Sequence, residues 1–420
     1  MRKDLITAMA RRGLGWVLGF ILGLVCISIV GADENSYTNT IMHPDMETRL
    51  RWIESYERAP SARIDDELTF KAALTGSLSL LGYLDYTPSE RNQGSCGNCW
   101  AWAGTGVVRI ALNVEDGIFD RLSVQFISSC NGAMTCCEGG WLEDFALFYR
   151  LKGYAIPWSN ANANWQNGNG LCNVSCESIS TLPNYPLVSI TAEAIRTHGV
   201  GQAQAIANIK NVLNQNRAVW FGFFMGTLED WSSFRTFWNT QAEDALWDFD
   251  ASCGKPYTSA GAGHAILCVG YNDIDPNNAY WIMLNSWGTT ASRPNGLFRV
   301  DMNMDYDCAD STGYHNLYWQ TLDVEFDTAK EIGYVEPLGV CGGHTPCYST
   351  IQEAINASGI KTTIRISGGR YFEDVALNHA KDITLQGGWD VSFTAQSSST
   401  TVGSLTVSAG TVTAEYLVCQ

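Results

Sequence analysis

Positive charge is scarce in this 420-residue chain: 26 Lys and Arg stand against 43 Asp and Glu, a net charge of −17. Phosphate binding needs a clustered excess of Lys and Arg, so the balance argues against a nucleic-acid partner, and the acidity reads as solubility. Long apolar runs are also few. After the first 32 residues no stretch is apolar for the roughly 20 residues that span a bilayer. Those first residues pair a basic start with an apolar run over 14–30 and the small residues Gly31 and Ala32. The pattern predicts a secretory signal over 1–32, with a membrane anchor as the alternative, and hence a secreted or cell-surface protein. Residues 33–80 lack cysteine and are polar and charged at first, which reads as a prosegment or poorly ordered leader over 33–81.

The rest of the chain is rich in what these segments lack. With 45% hydrophobic residues it can bury a sizeable core and is long enough for two or three domains. From 82 to 325 it is dense in Trp, Tyr, Cys and Gly and alternates helical with strand-like runs, an α+β pattern. CWAWAGTGVVRIALNV is a helix candidate, whereas AVWFGFFM, HAILCVGY and YWIMLNSW carry the β-branched and aromatic residues of buried strands. From 326 to 420 Thr, Ser, Val, Ile and Gly dominate. The runs TTIRISGG, DITLQGG and SLTVSAG read there as short strands of a separate β-rich module.

Export makes disulfides the default for the 14 cysteines, and loss of Cys26 with the signal leaves an odd number, so at least one thiol stays outside a bridge. Cys96 and Cys99, in QGSCGNCW, form a C-x-x-C pair. A zinc site would need two further ligands at similar spacing, which the adjacent Cys136 and Cys137 supply badly. A redox pair would want a βαβ context, and the preceding YTPSERNQGS reads as loop. A third reading remains open beside these two: Cys99 opens the helix candidate, where unpaired N–H groups and the helix dipole favour a thiolate nucleophile.

Acyl chemistry on a thiolate further needs a base, a group that fixes the base's tautomer, and donors for an oxyanion. Of the six histidines only His264 has a convincing setting, after the Gly-rich SAGAG and at the head of the strand AILCVGY. Asn285, in NSWG at the end of another strand, could hold its ring, with Trp287 shielding the contact.

The order QGxCGxCW, GHAxxxVGY, NSWG resembles the papain-like cysteine peptidases over roughly 82–324. The resemblance implies a two-lobed fold, one lobe helical around Cys99 and one a β-barrel carrying His264 and Asn285, and a secreted endopeptidase acting on protein or peptide substrates without cofactor or metal. It implies Cys99 as nucleophile, His264 as base and acid, the two forming a thiolate–imidazolium pair at rest and acting through an acyl-enzyme, with Asn285 as the orienter of His264 and Gln93 in the oxyanion hole. CCEGGW resembles the family's Cys-x-Gly-Gly segment, so Gly139 and Gly140 would bind the substrate main chain, and Trp141 and Phe223 fall where the family builds the pocket for the second residue before the cut. The same comparison implies bridges Cys96–Cys137 and Cys253–Cys308, and Cys130 with Cys172 or Cys176, Cys136 taking the other. Cys341 and Cys347 could close a small loop, while Cys268 and Cys419 stay free. Asn98 and Trp102 depart from the family's usual Ser and Phe, the loop after NSWG is rebuilt, and WSSFRTFWNTQAEDALWDF is longer than usual and is expected to rim the cleft. The leader shows no long helical signature.

The tail, from YSTIQEAINASG onward, resembles the opening of right-handed parallel β-helix domains. Without paired carboxylates or a basic cluster it offers no lyase chemistry, and attachment to a surface or polysaccharide is the expectation. The alternative to a peptidase is a catalytically silent papain-like binding or adhesion protein, against which the intact set of four residues argues.

Overall fold

The computed structural model describes residues 40–133, 135–327, 331–358 and 361–420. The signal expected over 1–32, Cys26 within it and the start of the leader lie outside the described residues.

The leader region is built into the fold. Helix α1 (Met46–Arg58) starts at Asp45, whose carboxylate accepts from the Thr48 N–H at 2.8 Å, and buries Arg49, Trp52 and Tyr56. Helix α2 (Asp66–Ala73) and strand β1 (Ser77–Ser79) follow. Residues of this stretch, among them Ile41, Met42, Trp52 and Tyr56, belong to the same core as the Trp-rich middle of the chain.

Three helices make the next layer: α3 (Cys99–Asp116), α4 (Val124–Cys130) and α5 (Leu142–Lys152). Small residues let α3 run through the centre, for a Cβ on Gly104 would meet the Phe145 ring at 2.7 Å and one on Gly106 would meet Leu267 at 2.5 Å. Beyond them come β2 (Tyr154–Ala155), β3 (Tyr185–Ala194), α6 (Gln202–Asn214), β4 (Val219–Met225), α7 (Leu228–Thr240), β5 (Leu246–Trp247), β6 (Ala262–Asn272), β7 (Tyr280–Leu284), β8 (Leu297–Asp301) and β9 (Leu317–Phe326). The strands form one sheet in the order β2-β3-β9-β4-β6-β7-β8-β5, and β1 adds to β6. The pairings are antiparallel except β5 with β8. Strand β4 is buried along its whole length, which explains its unbroken apolar run.

The remaining chain builds a second core that shares no residue with the first. Strands β10 (Glu331–Val335), β11 (Cys347–Tyr348), β12 (Lys361–Ser367), β14 (Asp374–Trp389) and β16 (Ser404–Glu415) form one parallel sheet, and β13 (Gly369–Arg370), β15 (Thr400–Val402) and β17 (Leu417–Cys419) another. Helix α8 (Ile351–Ala357) is clamped at both ends, Glu373 accepting from the N–H groups of Ile351 and Gln352 and Lys381 donating to the carbonyls of Ile355 and Ser358. Each charge opposes the partial charge of the helix end it meets.

Among the described residues five bridges close the loops: Cys96–Cys137, Cys130–Cys176, Cys136–Cys172, Cys253–Cys308 and Cys341–Cys347. Among the described residues Cys99 and Cys268 are buried free thiols and Cys419 an exposed one. The C-x-x-C pair is therefore divided, Cys96 in a bridge and Cys99 free.

Candidate active site

Cys99 occupies the first position of α3, whose N-cap residue Asn98 makes no side-chain cap. Uncapped N–H groups are thus left at the helix start, and those of Cys99 and Trp100 face the sulfur, as does the N–H of Ala265 on β6. His264 immediately precedes Ala265, so helix start and strand bring thiol and imidazole to one place.

The imidazole is held on one side only. His264 Nε2 lies 2.8 Å from Asn285 Oδ1, and the same oxygen accepts from the Ser286 N–H at 2.8 Å, which fixes which way the amide faces. Because Oδ1 can only accept, Nε2 carries the proton. In the neutral ring Nδ1 is then bare, and it has no hydrogen-bond partner within the protein. Trp287 covers this contact, its ring 4.8 Å from that of His264. Helix α7, from the insertion expected to rim the cleft, stands behind, Phe234 and Trp238 lying 5.5 and 5.8 Å from Trp287. Arg293 fastens the end of α7 by donating to the carbonyls of Phe237 and Trp238.

Gln93 is oriented from both ends of its amide. Its Oε1 accepts from the Ser286 hydroxyl at 2.6 Å, while Nε2 donates to Cys96 O at 2.8 Å and to Thr40 O at 2.7 Å. Arg91, which the sequence reading passed over, is buried and ties the two halves together, donating to Asn285 O at 3.0 Å and Trp102 O at 3.1 Å. An arginine two residues upstream of a motif carries no signature of such a role.

The cleft is filled by the chain itself. Residues 40–44 run through it as a strap: the Thr40 N–H donates to Gly94 O at 3.2 Å, and Met42 forms a two-way bridge with Gly263, N to O at 2.9 Å and back at 2.8 Å. A Cβ on Gly139, whose φ is +106°, would meet the Met42 side chain at 3.0 Å. Cys99 and His264 are consequently sealed from solvent. Burial pushes the Cys99 thiol up to about 12 and the His264 imidazole down to about 3, so both are neutral in this closed arrangement.

Of the expected pocket residues, Gly139 touches the strap, whereas Gly140 packs against the Trp100 ring. Trp141 is buried and stacked on Trp52 at 5.5 Å and on Phe224 at 5.6 Å. Phe223 turns the other way, into the aromatic cluster of Phe249, Trp231 and Phe234, with its ring edge-on to His264. Phe224 therefore stands beside Trp141, because neighbouring residues of a strand face opposite sides.

Residues 86–315 match the model of the papain family cysteine proteases, and the chain belongs to that family. It is similar to zingipain-2 of Zingiber officinale, 29% identical over 219 residues that cover 51% of this chain and 82% of that one. To the senescence-specific cysteine protease SAG39 of Oryza sativa subsp. indica it is 25% identical over 226 residues, 53% of this chain and 56% of the relative, so it spans little more than half of that protein's length. Among solved structures it resembles the digestive procathepsin L2 proteinase from Tenebrio molitor larval midgut, at 19% identity and a TM-score of 0.44, over 67% of this chain and 77% of that one.

Proposed function

We propose that the protein is a secreted cysteine endopeptidase that cleaves peptide bonds of protein substrates through Cys99, His264, Asn285 and Gln93. The observation that carries this reading is the contact of His264 Nε2 with Asn285 Oδ1, which leaves Nδ1 free to take a proton from the Cys99 thiol. The thiolate attacks the substrate carbonyl, and the oxyanion that forms accepts from Gln93 Nε2 and the N–H groups at the start of α3. The imidazolium returns its proton to the leaving amine. Water, activated by the same imidazole, then hydrolyses the acyl-enzyme.

The strap is read as a zymogen device. A substrate lays the residues before its cut toward Gly139 and Trp141 and its reacting carbonyl on Gln93. In the strap the carbonyl on Gln93 belongs to Thr40 and the residue at Gly139 is Met42, later in the chain, so the strap runs opposite to a substrate. Such a segment blocks the site without offering its own bond to the thiolate. The parallel-sheet module after residue 330 is read as a β-helix-like attachment domain with no part in hydrolysis. Cys99→Ala tests the peptidase reading: hydrolysis should vanish from the activated protein while its fold persists, and a folded variant with undiminished activity would sink it.

A further inference from the structure

The strap and the helix that follows it are held by different forces. Residues 40–42 are fastened mainly by backbone hydrogen bonds, those of Thr40 to Gly94 and Gln93 and those of Met42 to Gly263. An extended peptide entering the cleft can offer main-chain donors and acceptors in their place. Helix α1 is held by side chains that nothing else replaces. Arg49 is wholly buried, its Nη1 2.6 Å from Asp310 Oδ2, with its guanidinium 4.0 Å from the centre of the Tyr257 ring and 5.0 Å from that of Phe224. Trp52 stacks on Trp141 at 5.5 Å. Tyr56 donates to Ile195 O at 3.0 Å and meets the Tyr318 ring edge-on at 5.0 Å.

The chain beyond α1 is joined in the same way. The Ala194 N–H donates to Pro60 O at 2.8 Å and the Ala62 N–H to Ala194 O at 2.9 Å. Asn211 bonds both the N–H and the carbonyl of Asp65. Strand β1 pairs with β6 from Ser77 to Ser79, and the buried Lys210 ammonium bridges Leu74 O at 2.6 Å and Asp273 at 2.7 Å. Removing everything up to residue 80 would leave the Asp310 charge without its cation, leave Lys210 short of an acceptor and uncover Trp141 and Phe224. Losing one partner of a buried ion pair is by itself strongly destabilising.

Helix α1 also faces the cleft. A cavity of about 560 Å³ opens beside the strap, with Asp45, Thr48, Arg51 and Trp52 on one side and Glu138 and Gly139 on the other. Once residues 40–44 leave, this cavity joins the place vacated by Met42.

We propose that α1 is retained in the active protein as a permanent wall of the substrate groove, on the side of Gly139, and that the activating cut falls between Thr40 and Met46. The groove then ends against a helix of the same chain. Its residues Thr48, Arg51 and Trp52 determine which side chains are accepted upstream of the scissile bond. This rests on the strap being the block, as proposed above.

The test uses the full chain, left to activate or, where it does not cut itself, nicked with added subtilisin. The product is treated with iodoacetamide, and the N-terminus of every species alkylated at Cys99 is read by intact mass and N-terminal sequencing. The expected species begins between residues 41 and 46 and keeps Arg49 and Trp52. An alkylated species that begins after Arg58, one that still carries Thr40, or a Cys99 that stays unreactive once the strap is cut overturns the proposal. Peptide hydrolysis is measured separately. A reactive Cys99 without hydrolysis would contradict the peptidase reading and leave the assignment of α1 standing.

Discussion

The side-chain amide of Gln93 donates to the carbonyl of Thr40 at 2.7 Å, so the donor proposed for the reacting carbonyl of a substrate is occupied by the protein's own backbone. One substitution then has two opposite effects. In the activated protein Gln93→Ala should lower kcat by about 10²–10³-fold with little change in KM, since the donor acts on the developing oxyanion. In the uncut chain it should speed iodoacetamide modification of Cys99, because the strap loses an anchor. A loss confined to KM would contradict the oxyanion role.

Met42 holds the centre of the strap through its N–H on Gly263 O at 2.9 Å. Met42→Pro removes that donor and should raise the alkylation rate of Cys99 in the uncut chain about fivefold, the equivalent of one net hydrogen bond of about 1 kcal/mol. Exposed Cys419 is the internal reference for reagent concentration. An unchanged ratio of the two rates would show that the strap is not what seals the thiol.

The Arg49–Asp310 pair is fully buried, so breaking it should be costly. Arg49→Met is expected to lower stability by about 3–5 kcal/mol, read from the urea midpoint, because the carboxylate is left without its cation. The double variant Arg49→Met/Asp310→Asn should recover part of that loss, since no charge is then stranded. Equal losses in the single and double variants would mean that the guanidinium acts through packing alone.

How much of this was legible in the sequence follows from what each residue contributes. The roles proposed for Cys99, His264, Asn285 and Gln93 rest on side-chain chemistry, which residue type and the surrounding motif carry in the sequence itself. The strap acts through backbone atoms of Thr40 and Met42, which leave no mark on residue type. Helix α1 hides its inward face because Arg49 occupies a core position at helical spacing from Trp52 and Tyr56, and an arginine there reads as surface. Phe223 and Phe224 could not be told apart because β4 is buried on both faces and has no alternation to give its parity. In the tail the short apolar runs marked strands, but their pairing is uneven: Glu331 lies opposite Thr362, Lys361 opposite Asp382, and Asp382 opposite Thr411. A simple repeat length could not have given that register.

His198 supplies a prediction about pH. Its ring stacks on that of His315 at 3.7 Å, and its Nε2 lies 2.7 Å from Leu317 O, the carbonyl accepting. Helix α1 faces it with Tyr56 and with Glu57, whose carboxylate is 4.0 Å from Nδ1, while Arg196, Asp307 and Tyr318 complete its charged and titratable surroundings. Burial, and then the neighbouring His315, bring His198 down to about 4, against an ordinary value of 6.5. Above pH 6.5 the ring is neutral in both folded and unfolded chains and has no effect on the balance. As pH falls from 6.5 toward 4 the unfolded chain takes up the proton and the folded one does not, so stability is lost across that window, on the order of 3 kcal/mol in all. His198→Gln keeps an amide donor for Leu317 O but does not titrate. The stability difference between wild type and this variant, measured by urea unfolding at half-unit steps from pH 7 to pH 4, should therefore shift steadily in the variant's favour on acidification. A difference that stays constant over that range would mean that His198 is protonated as readily in the folded protein as in the unfolded chain.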